Sequence, residues 1–170
     1  MANGLPFLAP PDEAPYRLAV ETRFGLLTLE AGAEALAGLT WRRPQPDRPS
    51  RLLEHVAAQL AAYFAGTLKE FDLPLAPRGS AHEIAVWAEL CRIPYGETIT
   101  YGELARRIGT VARAVGGTCG ANPIAIVIPC HRVTAASGAL GGYSGGNGPD
   151  SKRRLLAHEA KHGGIFALTA

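Results

Sequence analysis

Apolar positions in the first third of the chain fall in short alternating runs. Tyr16, Leu18 and Val20 alternate with Arg17, Ala19 and Glu21. Leu26, Leu27 and Leu29 follow Gly25, and Leu36 to Trp41 makes a third run. A period of two interrupted by glycine predicts a small antiparallel sheet. A loop from Pro44 to Pro49 follows. Ser50 then precedes a segment in which Leu52, Leu53, Val56, Leu60 and Phe64 share one helical face, and Gly66 stops it. Phe71 to Gly79 holds two prolines and a glycine without helical period, which reads as a connector. The boundary between two parts, residues 1–78 and 79–170, is expected there.

The second part opens on Ser80-x-x-Glu83, a capping box, with Ile84, Trp87, Leu90 and Cys91 at helical spacing up to Pro94. Thr100-x-x-Glu103 has the same form and predicts a short helix through Ile108. Gly109-Thr110 is a tight turn, and Val111 to Gly117 predicts another short helix. Two short helices joined by a tight turn suggest a helix-turn-helix, although two connected core helices have the same spacing. The second of them is unusual. Ala112, Ala114, Gly116 and Gly117 are small, and one long cation, Arg113, stands among them. Two adjacent glycines are not explained by helix propensity. A slim helix with one arginine suits close approach to a minor groove only ~6 Å wide. Close packing of helix on helix, with Arg113 in solvent, is the competing reading.

Composition narrows the classes without choosing among them. Apolar residues make up 47% of the 170 and charged residues 19%, which excludes global disorder. No apolar stretch is long enough to span a membrane, and the first residues lack the form of a signal peptide. Net charge is +2. Residues 81–170 carry nine Lys/Arg against six Asp/Glu, so the second part could face a polyanion. Cys91, Cys119 and Cys130 are an odd number without framework spacing, read as reduced thiols in a cytoplasm. No C-x-x-C occurs, and no structural metal site is expected.

The chemistry concentrates after Asn122-Pro123. The run Ile124 to Ile128 is continuously apolar and predicts a buried strand. It ends at Pro129-Cys130-His131-Arg132-Val133. A thiol at a strand end, beside a histidine and an arginine, has neighbours that lower its pKa and raise its nucleophilicity. Ser137 to Gly146 is a glycine-rich loop with one aromatic, Tyr143, able to wrap a flat ligand with N–H groups and a phenol. A last helix, Lys152 to Lys161, carries Glu159, either a surface charge or the third member of a Cys–His–acid relay.

Tyr101, Ala112-Arg113-Ala114-Val115-Gly116, Asn122-Pro123, Ile128 to Val133, Gly142 to Gly146 and Leu155-Leu156-Ala157-His158-Glu159, in this order, resemble the O6-alkylguanine-DNA alkyltransferase family over about residues 72–162. The first part matches only in general pattern. The resemblance implies an α+β fold: a small N-terminal antiparallel sheet with a helix, then a mostly helical, winged-helix-like C-terminal part with a helix-turn-helix. It implies a suicide DNA-repair protein that flips O6-alkylguanine, and also O4-alkylthymine, from duplex DNA. The alkyl group then passes irreversibly to Cys130.

The resemblance also assigns roles. His131 is the base acting through a water, Glu159 orients it, and Asn122 braces the turn before the thiol. Tyr101 helps rotate the nucleotide, Tyr143 and the Ser144 backbone meet the base edge, and Val133 lines the pocket. Arg113 enters the stack as the base leaves, with Ala112, Ala114 and Gly116 against the minor groove. No cofactor and no metal is implied. The expected partner is double-stranded DNA, met by a monomer, with no membrane involved.

The chain departs from the family pattern in three places. Gly109 to Arg113 is two residues shorter than usual, Asn147 to Ser151 is about two residues longer than usual, and His82-Glu83 stands where Phe-Gln is usual. A damage sensor of the same architecture lacks the acceptor thiol. A transcription regulator would need more cations than the four in 101–135, and a Cys–His amidohydrolase predicts turnover.

Overall fold

In the computed structural model, residues 6–42 and 46–163 are described. The fold is α+β, with a three-stranded antiparallel sheet and five α-helices among those residues. Strands β1 (Tyr16–Thr22), β2 (Gly25–Ala31) and β3 (Leu36–Thr40) lie in the order β1-β2-β3. Thr22 pairs with Gly25, so Arg23 and Phe24 form a two-residue turn, which Gly25 leaves at φ +102°. Helix α1 (Arg51–Ala65) is capped by Ser50, whose hydroxyl accepts the Leu53 N–H at 3.3 Å, and stopped by Gly66 at φ 80°. Its buried face, Leu53, Val56, Leu60 and Tyr63, shares one core with Leu27, Leu29, Leu36 and Leu39 of the sheet.

The connector is tied down rather than free. The Leu36 N–H donates to Pro74 O at 2.9 Å and the Ala76 N–H to Leu36 O at 2.8 Å, so Leu75 lies along β3. Helix α2 (Ala81–Leu90) starts with the full Ser80–Glu83 capping box. A two-residue strand β4 (Ile99–Thr100) leads into α3 (Tyr101–Ile108). Thr100 caps α3 through the Glu103 N–H, but only that half of the expected box forms. The Glu103 carboxylate turns to Arg106 and Arg107 instead, where it neutralises the last turn. After Gly109, in the left-handed conformation, α4 spans Ala112–Gly120 with Val111 as its N-cap. A 3₁₀ turn, Cys130–Arg132, precedes β5 (Val133–Thr134), which pairs parallel to β4. Helix α5 (Pro149–His162) begins three residues earlier than its periodicity predicts, with Pro149 in its first turn.

One expected element does not form. Ile124 to Ile128 is not a strand but a buried tight turn. The Val127 N–H donates to Ala125 O at 2.9 Å and the Ile128 N–H to Ile124 O at 2.9 Å. Ile126 sits at φ 73°, where a β-branched residue is strained. Two fastenings offset that cost. The Leu39 N–H of β3 donates to Pro123 O at 2.8 Å, and the Ala125 N–H returns to Leu39 O at 3.3 Å. The second is the Asn122 side chain. The sheet edge thus holds the turn that presents Cys130.

Candidate active site

Cys130 is buried, 5% exposed, at the start of the 3₁₀ turn. Asn122 organises the approach to it. Its Oδ1 accepts the Ile124 N–H at 3.0 Å, and its Nδ2 donates to Ile128 O at 2.8 Å and to Cys130 Sγ at 3.2 Å. Burial pushes the Cys130 thiol up. The Asn122 amide, the Lys152 ammonium and the backbone N–H groups of Cys130 and His131 oppose this. The resting group is therefore a neutral thiol, against the sequence expectation of a lowered pKa. Arg132 is not its cationic neighbour. The turn separates the Cys130 side chain from the two that follow it, and Arg132, like His131, points to the acid.

That acid is Glu159, fully buried on α5. Its Oε1 accepts from Tyr63 Oη at 2.7 Å, His131 Nε2 at 2.8 Å and Arg132 Nη2 at 2.9 Å. Its Oε2 accepts from Arg132 Nε at 2.9 Å and the Gly96 N–H at 3.2 Å. Burial alone would raise this carboxyl; the hydrogen bonds and charges of His131 and Arg132 outweigh it and hold the group well below the usual carboxylate range. Burial lowers His131, which is neutral. With its Nε2–H given to Glu159, its lone pair sits on Nδ1, which has no protein partner. An imidazole so held can take a proton.

Cys130 forms part of the wall of a cavity of about 610 Å³. Tyr101, Tyr143, Ser144 and Gly142 line one side; Ala112, Arg113, Gly116, Cys119 and Gly120 of α4 line the other. A Cβ built on Gly116, Gly117 or Gly120 would meet nothing within 4 Å. The small face of α4 therefore does not pack on another helix, and the packing explanation of its glycines fails. Arg113 is exposed beside it. Ser144 Oγ donates to Gly120 O at 2.9 Å, tying the glycine-rich loop to α4. The Tyr143 hydroxyl is buried without a partner, and burial raises it well above its ordinary value. Burial pushes Tyr101 up to about 12.

Two sequence-assigned residues stand elsewhere. Val133 is fully buried in the β4–β5 pair opposite Ile99 and is not on the cavity surface. Ala114 is half-buried and also lies off the cavity wall, because one helical turn cannot direct 112, 113, 114 and 116 to the same side. Two residues were missed. Lys152, 1% exposed, donates to Tyr101 Oη and Gly142 O, both at 3.3 Å, and brings the positive charge to Cys130. Tyr63 comes from α1, 96 positions before Glu159. Only a lysine on the apolar face of the last helix hinted at the first; nothing in the sequence hinted at the second. Among the described residues, no cluster of three or more His, Cys, Asp or Glu could hold a metal, and no helix is long and apolar enough to cross a membrane.

The geometry defines a class: a chain with a buried thiol, Cys130, next in sequence to a histidine held by a buried acid, in the wall of a cavity whose other side is a helix with an unpacked glycine face. The family model described as 6-O-methylguanine DNA methyltransferase, DNA binding domain, matches residues 81–161. A methylated-DNA–protein-cysteine methyltransferase of Mycolicibacterium paratuberculosis is 48% identical over 156 residues, covering 86% of this chain and 93% of its own length. Its counterpart in Mycobacterium tuberculosis is 46% identical over 154 residues, covering 85% and 91%. The crystal structure of Mycobacterium tuberculosis OGT in complex with DNA superposes with a TM-score of 0.78 at 44% identity, over 86% of this chain and 94% of that one. The chain belongs to the methylated-DNA–protein-cysteine methyltransferase family.

Proposed function

We propose that this protein repairs DNA by moving the alkyl group of O6-alkylguanine, and of O4-alkylthymine, onto its own Cys130. The observation that carries the reading is the arrangement at the thiol: Asn122 Nδ2 at 3.2 Å from Sγ, and the neutral His131 locked to Glu159 at 2.8 Å. In the step, the Cys130 proton passes to His131 through a water, and Sγ attacks the sp³ carbon. The S–C bond forms as the C–O6 bond breaks, and the guanine leaves with its electron pair and takes a proton from solvent, to which His131 returns the one from Cys130. The Ser144 N–H and the unpartnered Tyr143 hydroxyl meet the base edge. The product is a thioether with no carbonyl for water to attack, so each chain reacts once.

The target carbon lies inside a duplex, so the nucleotide must leave the stack, at a cost of about a few kcal/mol. In this reading α3 and α4 act as a helix-turn-helix within a winged-helix-like part, residues 79–170, and residues 1–78 form the second part. Helix α4 enters the minor groove with Ala112 and Gly116 against it. Arg113 fills the gap left by the base and Tyr101 assists the rotation. The protein acts as a monomer in a reducing cytoplasm, where its cysteines stay free.

The test is the intact mass after incubation with duplex DNA carrying O6-methylguanine. A permanent gain of one methyl, mapped to Cys130, is expected. Cys130→Ser should still bind the DNA and gain nothing, because an alcohol is far less ionised than a thiol. Tight binding by the unaltered protein without any mass gain would identify a damage sensor instead.

A further inference from the structure

We infer that Tyr63, on the N-terminal helix α1, is a positioning residue of the His131–Glu159 pair, setting which proton state the imidazole holds beneath Cys130. The inference rests on the reading of Cys130 as the acceptor and His131 as its base.

Tyr63 is fully buried. Its hydroxyl donates at 2.7 Å to Oε1 of Glu159, the same oxygen that accepts His131 Nε2 at 2.8 Å. The ring is fixed on three sides, edge to face with Phe64, Tyr95 and His158, at centroid distances of 5.3, 5.9 and 5.2 Å. Its carbonyl is fixed too. His158 Nε2–H donates to Tyr63 O at 2.7 Å, and His158 Nδ1 faces the Arg23 guanidinium. A phenol this constrained does not wander from its acceptor.

The hydroxyl is not needed merely to satisfy the acid. Arg132 already gives Glu159 two hydrogen bonds and Gly96 a third. What the Tyr63 O–H adds is competition at Oε1. It draws negative charge away from the His131 N–H, so the carboxylate supports imidazolium less strongly. His131 then stays neutral with its Nδ1 lone pair free at lower pH. The other groups that face this pair are Arg132 and Lys152, which disfavour imidazolium, and Tyr95 and His158, both near Glu159. None of these shares Oε1 with His131 except Arg132. Residues 1–78 therefore contribute a group to the reactive centre as well as scaffolding the turn before it.

The experiment compares wild type, Tyr63→Phe and Phe71→Leu. The last of these alters a ring packed on Tyr63 at 5.3 Å but removes no hydrogen bond. The rate of Cys130 carbamidomethylation by iodoacetamide is followed from pH 5 to 9 by peptide mass, with folding checked by thermal melting. In Tyr63→Phe the acid limb of the profile should move to higher pH by about half to one unit, because a charge-assisted donor has been taken from the acid. Phe71→Leu should lower the melting temperature and leave the limb in place. An unmoved or lowered limb in Tyr63→Phe, or an equal shift in Phe71→Leu, overturns the inference. Iodoacetamide needs no DNA. A chain that shows the shift but never demethylates DNA would sink the repair reading and leave this one standing.

Discussion

Glu159→Gln changes one atom and removes one charge, and the structure sets its cost. The carboxylate accepts five hydrogen bonds, from Tyr63, His131, Gly96 and twice from Arg132. An amide can accept on one oxygen only. If that oxygen takes the Oε1 place, the new NH₂ faces Arg132 Nε and the Gly96 N–H, donor against donor. The Arg132 guanidinium, with its side chain 9% exposed, also loses its counter-charge. Breaking a buried pair from one side costs about 3–5 kcal/mol, a large part of the roughly 5–15 kcal/mol that holds a domain folded. Alkyl transfer should fall with it.

The pH dependence adds a sharper test of the same variant. The folded pKa of Glu159 is depressed, so its contribution is complete above the unfolded carboxylate value of about 4.3 and is lost as pH falls below it. The other carboxylates are common to both proteins and cancel in the difference. Urea titrations of the two proteins should give a gap of about 3–5 kcal/mol at pH 7, shrinking by about 1.4 kcal/mol per pH unit below that value. A gap under about 1 kcal/mol at neutral pH, or one that stays constant from pH 6 to 3, would refute the reasoning.

Two further substitutions separate the binding face from the thiol. Arg113→Ala should slow repair of duplex DNA roughly a hundredfold and barely change reaction with free O6-benzylguanine, since the free base leaves no stack to fill. Single-turnover rates on the two substrates decide it, and equal slowing on both would remove the finger role. Lys152→Met removes the cation that favours the thiolate, so the alkaline rise in Cys130 carbamidomethylation by iodoacetamide should move to higher pH. An unmoved or lowered midpoint would mean that Lys152 serves only to hold Tyr101 and Gly142.

What could be read from the chain was local. Alternation between Tyr16 and Trp41 marks the sheet, and Ser50, Gly66, Ser80 and Gly109 sit at helix ends because capping is a matter of three or four neighbouring residues. The apolar run at Ile124 misled because continuous burial looks alike in a strand and in a buried turn. The difference lies in the Asn122 amide and the edge of β3, which local periodicity does not report. Arg132 misled for the opposite reason. Adjacency to Cys130 suggested contact, but a 3₁₀ turn rotates each residue by about a third of a turn. The cation whose charge acts on the thiol is Lys152, 22 positions on, and the phenol that reaches the acid is Tyr63, 67 positions before Cys130.

The raised thiol fits a protein that can react only once. An exposed cysteine of low pKa would be consumed by any soft electrophile it met, and an alkylated thioether cannot be recovered by hydrolysis. Here burial keeps Cys130 protonated at rest, and the same effect pushes its neighbour Cys119 up to about 12. The means of activation are in place but act only together. Asn122 and Lys152 favour the thiolate, while His131, held neutral by burial against Glu159, can take the proton. A base seated in the 610 Å³ cavity would cover Cys130, exclude bulk solvent from the cavity and place an electrophilic carbon in line with Sγ. On the proposed reading, reactivity is coupled to occupancy of the cavity, and selectivity for the lesion resides in the fit of the flipped base and not in an intrinsically reactive cysteine.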